Sequence, residues 1–159
     1  MDDASGTWPA ALAAFGSLAF FVIAWVGTFQ ALASIGGWRE LARAYPPLGV
    51  LGSSLGESFR FRSAQLRNGI GYNNCITLGA SPMALRISMP WVFSIGHAPI
   101  EVPWSEIRTE AGRSWGFPMV TLHVARLPGI PLRLRRGLAA DLARASGGQL
   151  ALPAEGEGR

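Results

Sequence analysis

Residues 10–35 read AALAAFGSLAFFVIAWVGTFQALASI, and only Ser17, Thr28, Gln30 and Ser34 among them are polar. The surrounding charge-free stretch is longer still, from position 4 to position 38. A bilayer core is crossed by about 20 predominantly apolar helical residues, so this run predicts a membrane-spanning helix. Around such a helix Phe15, Phe20, Phe21, Ile23, Trp25 and Phe29 point in every direction. A helix that is apolar on all sides belongs in lipid rather than against a soluble core. A secretory signal is the competing reading, since Ala31-Leu32-Ala33 mimics a cleavage site. Against it, Met1-Asp2-Asp3 has the wrong sign of charge and the apolar run is too long.

Outward from the run, Trp8 and Trp38 stand about 45 Å apart at helical rise, near the full thickness of a bilayer with its headgroup zones. Tryptophan favours those interfaces. Arg39 and Arg43 follow the span directly, whereas Asp2 and Asp3 precede it. The excess of arginine predicts a single pass, with residues 1–9 outside and the C-terminal domain in the cytoplasm. Gly27 and Ala31 are spaced four apart, as small residues are in helix-dimer faces, which admits a homodimer through the span.

The remaining 120 or so residues suffice for one domain. All 14 bases are arginine, all follow the span, and 8 acids accompany them. Arginine forks suit phosphate and carboxylate partners. Cys75 is the single cysteine, which excludes an internal disulfide.

Residues 36–57 read as a juxtamembrane element and connector. Gly36-Gly37 breaks the first helix, and Trp38, Leu41, Ala42 and Tyr45 then share one face of a short amphipathic helix. That face either lies on the headgroups or packs on the following domain. Pro46-Pro47 ends it, and residues 49–56 are rich in Gly and Ser.

From Ser58 the period changes to two: Phe59, Phe61 and Ser63 alternate with Arg60, Arg62 and Ala64. A turn at Asn68-Gly69 leads to a second strand over 72–78, and 83–89 alternates again. Short strands are expected at 91–94, 100–102, 107–111, 118–125 and 130–135. A helix over 138–146 follows, with Leu138, Leu142 and Ala145 facing the sheet and Gly147-Gly148 in the C-cap position. The domain is thus expected over 58–147, mainly β, with residues 148–159 as a flexible tail. The predicted architecture is an N-terminal transmembrane helix followed by a curved antiparallel sheet or partly open barrel of about seven strands, closed by a helix.

Residues 58–146 resemble the pleckstrin-homology-like superfold, in particular the bacterial PH-like and GRAM-like domains carried by membrane-anchored proteins. The resemblance turns on Met83-Ala84-Leu85-Arg86-Ile87-Ser88, a short aromatic stretch, then Val102-Pro103-Trp104-Ser105-Glu106-Ile107. It implies a lipid-, peptide- or protein-docking platform without catalysis, in a bacterial inner (plasma) membrane.

The strongest functional signal is arginine. Arg60, Arg62 and Arg67 line the first strand, while Arg126, Arg133, Arg135 and Arg136 surround the last hairpin. A barrel brings those regions together as a basic face for anionic lipid headgroups or a membrane protein. Trp8, Trp38, Arg39 and Arg43 are the expected membrane-interface residues. His97, with Glu101 or Glu106, is the one group resembling a general base, and the competing reading is a turn histidine bonded to backbone or to Glu101. Cys75 sits in an apolar strand and reads as a buried thiol. Cys75, His97 and His123 lack metal-ligand spacing, so neither metal nor cofactor is expected. The glycine clusters lack a phosphate-loop ending, and the basic stretches lack the aromatic interleaving of RNA-binding sheets, which argues against nucleic acid. The reading is a non-enzymatic docking module. The alternative is a small accessory subunit of an inner-membrane complex, which meets its partners through Phe20, Phe21 or Trp25 of the span.

Overall fold

The computed structural model describes residues 7–47, 56–67, 69–114 and 116–154. Most of the Gly/Ser connector, Asn68 of the expected turn and the last residues of the tail lie outside the described residues. Two helices, α1 (Thr7–Ile35) and α2 (Trp38–Ala44), precede strands β1 (Glu57–Leu66), β2 (Ile70–Ala80), β3 (Ala84–Ser88), β4 (Ile100–Pro103), β5 (Ile107–Ser114), β6 (Phe117–Val124) and β7 (Leu132–Arg135). Helix α3 (Arg136–Ala145) follows β7 directly.

Among the described residues α1 alone is long and apolar enough to cross a membrane. Three of its hydroxyls are satisfied within the helix: Ser17, Thr28 and Ser34 donate to the carbonyls of Ala13, Ala24 and Gln30 at 2.8, 2.8 and 2.9 Å. The helix has two parts. From Trp8 to Ala24 it is exposed on every side; from Trp25 onward Trp25, Phe29, Leu32, Ala33 and Gly36 turn away from solvent. Their spacing puts them on one face, and that face docks on the domain.

Gly37 takes a left-handed conformation (φ 79°) between α1 and α2, where a β-carbon would come within 2.7 Å of Ile130. The bend swings α2 onto the sheet. Trp38, Leu41 and Tyr45 become core residues, 0–2% exposed, so the amphipathic face packs on the domain instead of lying on headgroups. This corrects the expected interface position of Trp38, whose indole N–H donates to the Ala98 carbonyl at 2.8 Å. It also extends the domain core to residues ahead of position 58.

The seven strands form one antiparallel sheet in the order β4-β3-β2-β1-β7-β6-β5. Two meanders, β1–β4 and β5–β7, meet where Gln65 and Leu66 of β1 pair with Arg133 and Leu132 of β7. The sheet curls into a half-barrel with β4 and β5 as its edges. Tyr45 at the end of α2 covers the β4 edge, its carbonyl accepting the Glu101 N–H at 3.1 Å. Inside lie Leu66, Ile76, Leu78, Leu85, Ile100, Val102, Val120, Leu122 and Leu134, and α3 closes the barrel with Leu138, Ala139 and Leu142. The expected glycine cap is present: the Gly148 N–H donates to the Ala143 carbonyl at 3.1 Å.

Two expectations are corrected here. Residues Trp91–Phe93 form a 3-10 turn rather than a strand. The Phe93 and Ser94 N–H groups donate to Pro90 and Trp91 carbonyls, so local bonds replace a sheet ladder. In β1 the simple alternation fails, because bulges interrupt the register on either side of Arg62. Phe61 has φ 54° and is 61% exposed, while Ala64 and Leu66 take the inward positions. A bulge of this kind bends the strand and re-aims its side chains.

Core placement of Trp38 predicts that Trp38→Ala destabilises the domain by about 3–5 kcal/mol, the usual range for deleting a buried large aromatic. Trp8→Ala, in the exposed part of α1, should stay within about 0.5 kcal/mol. Denaturant unfolding of the full chain in detergent micelles separates the two, and equal effects would contradict the core position.

Candidate functional site

The bulges of β1 and β2 build a groove on the outside of the sheet. Ser63 accepts the Asn74 N–H at 3.0 Å and donates to Asn74 Oδ1 at 3.1 Å, and Asn74 itself has φ 52°. Beside this kink β7 runs only from Leu132 to Arg135 before the chain turns into α3. Leu132 and Leu134 point into the barrel, which leaves Arg133 and Arg135 on its outer face. Arg62, Ser63, Asn73, Asn74, Arg135 and Asp141 thereby line an open groove of about 650 Å³. It continues into a second hollow of about 280 Å³ floored by Gln65, Phe117 and Met119, with Ser63, Asn73 and Arg135 common to both. The Arg135 guanidinium lies 5.2 Å from the centre of the Phe117 ring. Asp141 is bound by Arg144 within α3.

The sequence-predicted arginines therefore divide. Arg62 and Arg135 come together in the groove. Arg133 stands two residues earlier on the same face, in a separate hollow of about 230 Å³ with Glu110, Arg113 and His123. Arg60 is exposed on β1, and Arg136 opens α3. Arg67 and Arg126, by contrast, are engaged in surface bonds to other parts of the chain. Arg67 donates twice to Glu40 at 2.9 Å and reaches the last carbonyl of α1, Ile35, at 3.4 Å.

Arg126 grips Glu106 with Nε and Nη2 at 3.0 and 2.8 Å, donates Nη1 to the Ala44 carbonyl at 2.9 Å, and lies over the Tyr45 ring at 4.9 Å. Tyr45 donates its hydroxyl to Glu106 at 2.8 Å and accepts the Arg126 N–H at 2.9 Å. Arg126, expected on the ligand-facing surface, thus latches the end of α2 to the barrel. Arg126 and the Tyr45 hydroxyl hold the Glu106 carboxyl below its usual range.

His97 is 1% exposed. Its Nδ1 lies 3.0 Å from the Ile95 carbonyl and its Nε2 3.4 Å from the Tyr72 hydroxyl. The carbonyl requires a proton on Nδ1, so the neutral ring turns a bare Nε2 toward the Tyr72 hydroxyl, whose single proton also has the Leu32 carbonyl within reach at 3.3 Å. Phe29, Trp38 and Tyr72 meet the imidazole edge-on at 6.2, 5.0 and 5.6 Å between centroids. Burial pushes the imidazole pKa down against the effect of the Ile95 bond, and the Arg39 charge adds to the fall. Burial also holds the Tyr72 phenol protonated, with a pKa pushed up to about 12. The expected partners of His97 are engaged elsewhere: Glu101 pairs with Arg86 at 3.3 Å, and Glu106 with Arg126. The backbone-bonded turn histidine is thus the arrangement found.

His123 pairs with Glu110 at 3.1 Å on the sheet exterior. Cys75 is half-buried, and burial raises its thiol pKa. Among the described residues no three His, Cys, Asp or Glu side chains gather as a metal-binding group. Sequence reasoning missed Ser63, Asn73 and Asn74, since their role depends on paired bulges in two strands. Compared with protein-family models, with curated proteins and with solved structures, the chain finds no match.

The buried histidine sets a pH dependence. Its pKa is lower folded than unfolded, so the unfolded chain binds the extra proton below about pH 6.5, and stability falls as pH drops through that window. His97→Gln, which does not titrate, should flatten the fall between neutrality and about pH 5. Thermal unfolding across pH tests this, and an unchanged slope in the variant would remove His97 as its source. Glu106 contributes lower down, its stabilisation being lost as pH falls through its depressed folded value.

Proposed function

We propose that the protein is a single-pass membrane-anchored docking module, non-enzymatic, whose PH-like β domain offers the Arg62–Arg135 groove to anionic lipid headgroups on the cytoplasmic side of a bacterial plasma membrane. The observation that carries this reading is the meeting of two arginines from distant parts of the chain in one groove with amide and hydroxyl groups. Guanidinium forks beside neutral donors match the oxygens of a phosphate.

Two further features support it. The end of α1 is part of the domain: Ala33 is buried in the core, and Leu32 accepts from the Gly36 N–H at 2.8 Å and lies 3.3 Å from the Tyr72 hydroxyl. Cleavage after Ala33 would strip these contacts away, which favours a retained anchor over a removed signal. The strand order, with a C-terminal helix closing the barrel, agrees with a PH-like arrangement, and His97 is sealed away from any substrate.

Full-length protein in zwitterionic nanodiscs should capture phosphatidylglycerol-rich vesicles and ignore phosphatidylcholine ones, with capture weakening as salt rises. At about 1 kcal/mol per cation near an anionic surface, Arg62→Ala/Arg135→Ala should weaken capture on the order of tenfold or more. Arg126→Ala should instead act on stability. Equal capture by wild type and the double variant at every salt concentration would overturn the headgroup reading.

A further inference from the structure

The loop between β3 and β4 carries Pro90-Trp91-Val92-Phe93-Ser94-Ile95, and no Asp, Glu, Lys or Arg occurs from Met89 through Ile100. Trp91 is 85% exposed, Val92 41% and Ile95 39%. Phe93 points the other way, onto α1: its ring lies 6.0 Å from Trp25 and 5.5 Å from Phe29. Gly96 (φ 77°) lets the backbone come close to both helices, where a β-carbon would meet Ala33 and Gln30 of α1 and Arg39 of α2 at 3.6–3.8 Å. His97 then fixes the loop from below through the Ile95 carbonyl. The loop is clamped to the apolar helix by Phe93, and Trp91, Val92 and Ile95 face outward.

The level of this loop along α1 decides what covers it. The part of α1 exposed on all sides, Trp8 to Ala24, is about 26 Å long at helical rise. The hydrocarbon core is about 30 Å thick. A bilayer starting at Trp8 therefore reaches to about Thr28, one turn beyond Trp25, and Phe93 stacks on the helix at that depth. Tryptophan belongs at this boundary, and Trp91 and Trp25 both sit there, where Trp38 does not.

We infer that the β3–β4 loop is a second membrane contact, with Trp91, Val92 and Ile95 entering the lipid interface beside α1. The inference rests on the reading of α1 as a membrane anchor. Its occupant is the bilayer rather than a second copy or a partner protein, because the loop is uncharged and continuous with the lipid-facing surface of α1. Two neighbouring contacts fix the tilt of the domain relative to the bilayer.

Nitroxide labels on the full-length protein in nanodiscs test this, in a Cys75→Ser background. The sites are Val92→Cys on the loop, Phe20→Cys in the span and Arg144→Cys on exposed α3. A Phe20 label and a Val92 label that both collide more often with oxygen than with a water-soluble nickel complex, while the Arg144 label does the reverse, is the expected result. A Phe20 label in lipid with a Val92 label in water would overturn the loop contact and leave the anchor standing. A Phe20 label in water would overturn both. Trp91→Asp should move the Val92 label toward water, and an unmoved label would show that Trp91 does not hold the loop at the interface.

Discussion

The structure depends on one aromatic joint. Trp38, Tyr72 and His97 pack around one another, Phe29 adds its ring to His97, and Ala33 is buried in the same core. These residues come from α1, α2, β2 and the β3–β4 loop. Together they turn the end of an apolar helix into part of a barrel core. Each polar atom there has a local answer: the Trp38 indole N–H binds Ala98, the imidazole binds Ile95, and the Tyr72 hydroxyl lies between His97 and Leu32. A polar network in a low-dielectric core fixes one arrangement only when its members are all satisfied. The helix therefore leaves the domain in a defined direction.

The arginines share the rest of the architecture between them. Arg67 and Arg126 secure the ends of α1 and α2 through Glu40 and Glu106, on either side of the short helix. The bidentate grip of Arg126 on Glu106, with its third nitrogen on the carbonyl of Ala44, uses the whole planar fork in a way lysine does not. Arg62 and Arg135 are left to the outside of the sheet, in a groove that exists because β7 is short and β1 is bulged. The arginines thus divide into a structural share beside α1 and α2 and an outward-facing share in the groove.

Much of this was legible in the chain. The uncharged run predicted α1, and the strand reading found β2 to β7 to within a few residues. Alternation misled in β1, where the bulges at Arg62 change which residues face inward, and at Trp91–Phe93, where a strand-like composition forms a turn. Both failures share a cause: strand propensity describes a half-buried surface, and pairing partners decide whether that surface exists. Trp38 misled in the same way, since an interface aromatic and a core aromatic look identical in sequence.

The sequence by itself determined the class of the longer segments. Hydrophobic length and period are local properties, so a long apolar helix, a β domain and a closing helix could be read without knowing any contact. Tertiary structure alone decided which arginines meet, which tryptophan is buried and where the aromatic loop lies along α1. Those outcomes depend on the left-handed bend at Gly37, on two bulges and on the pairing of β1 with β7, which joins residues far apart in the chain. Such closures are set by the free energy of the whole core, and no single stretch of residues encodes them.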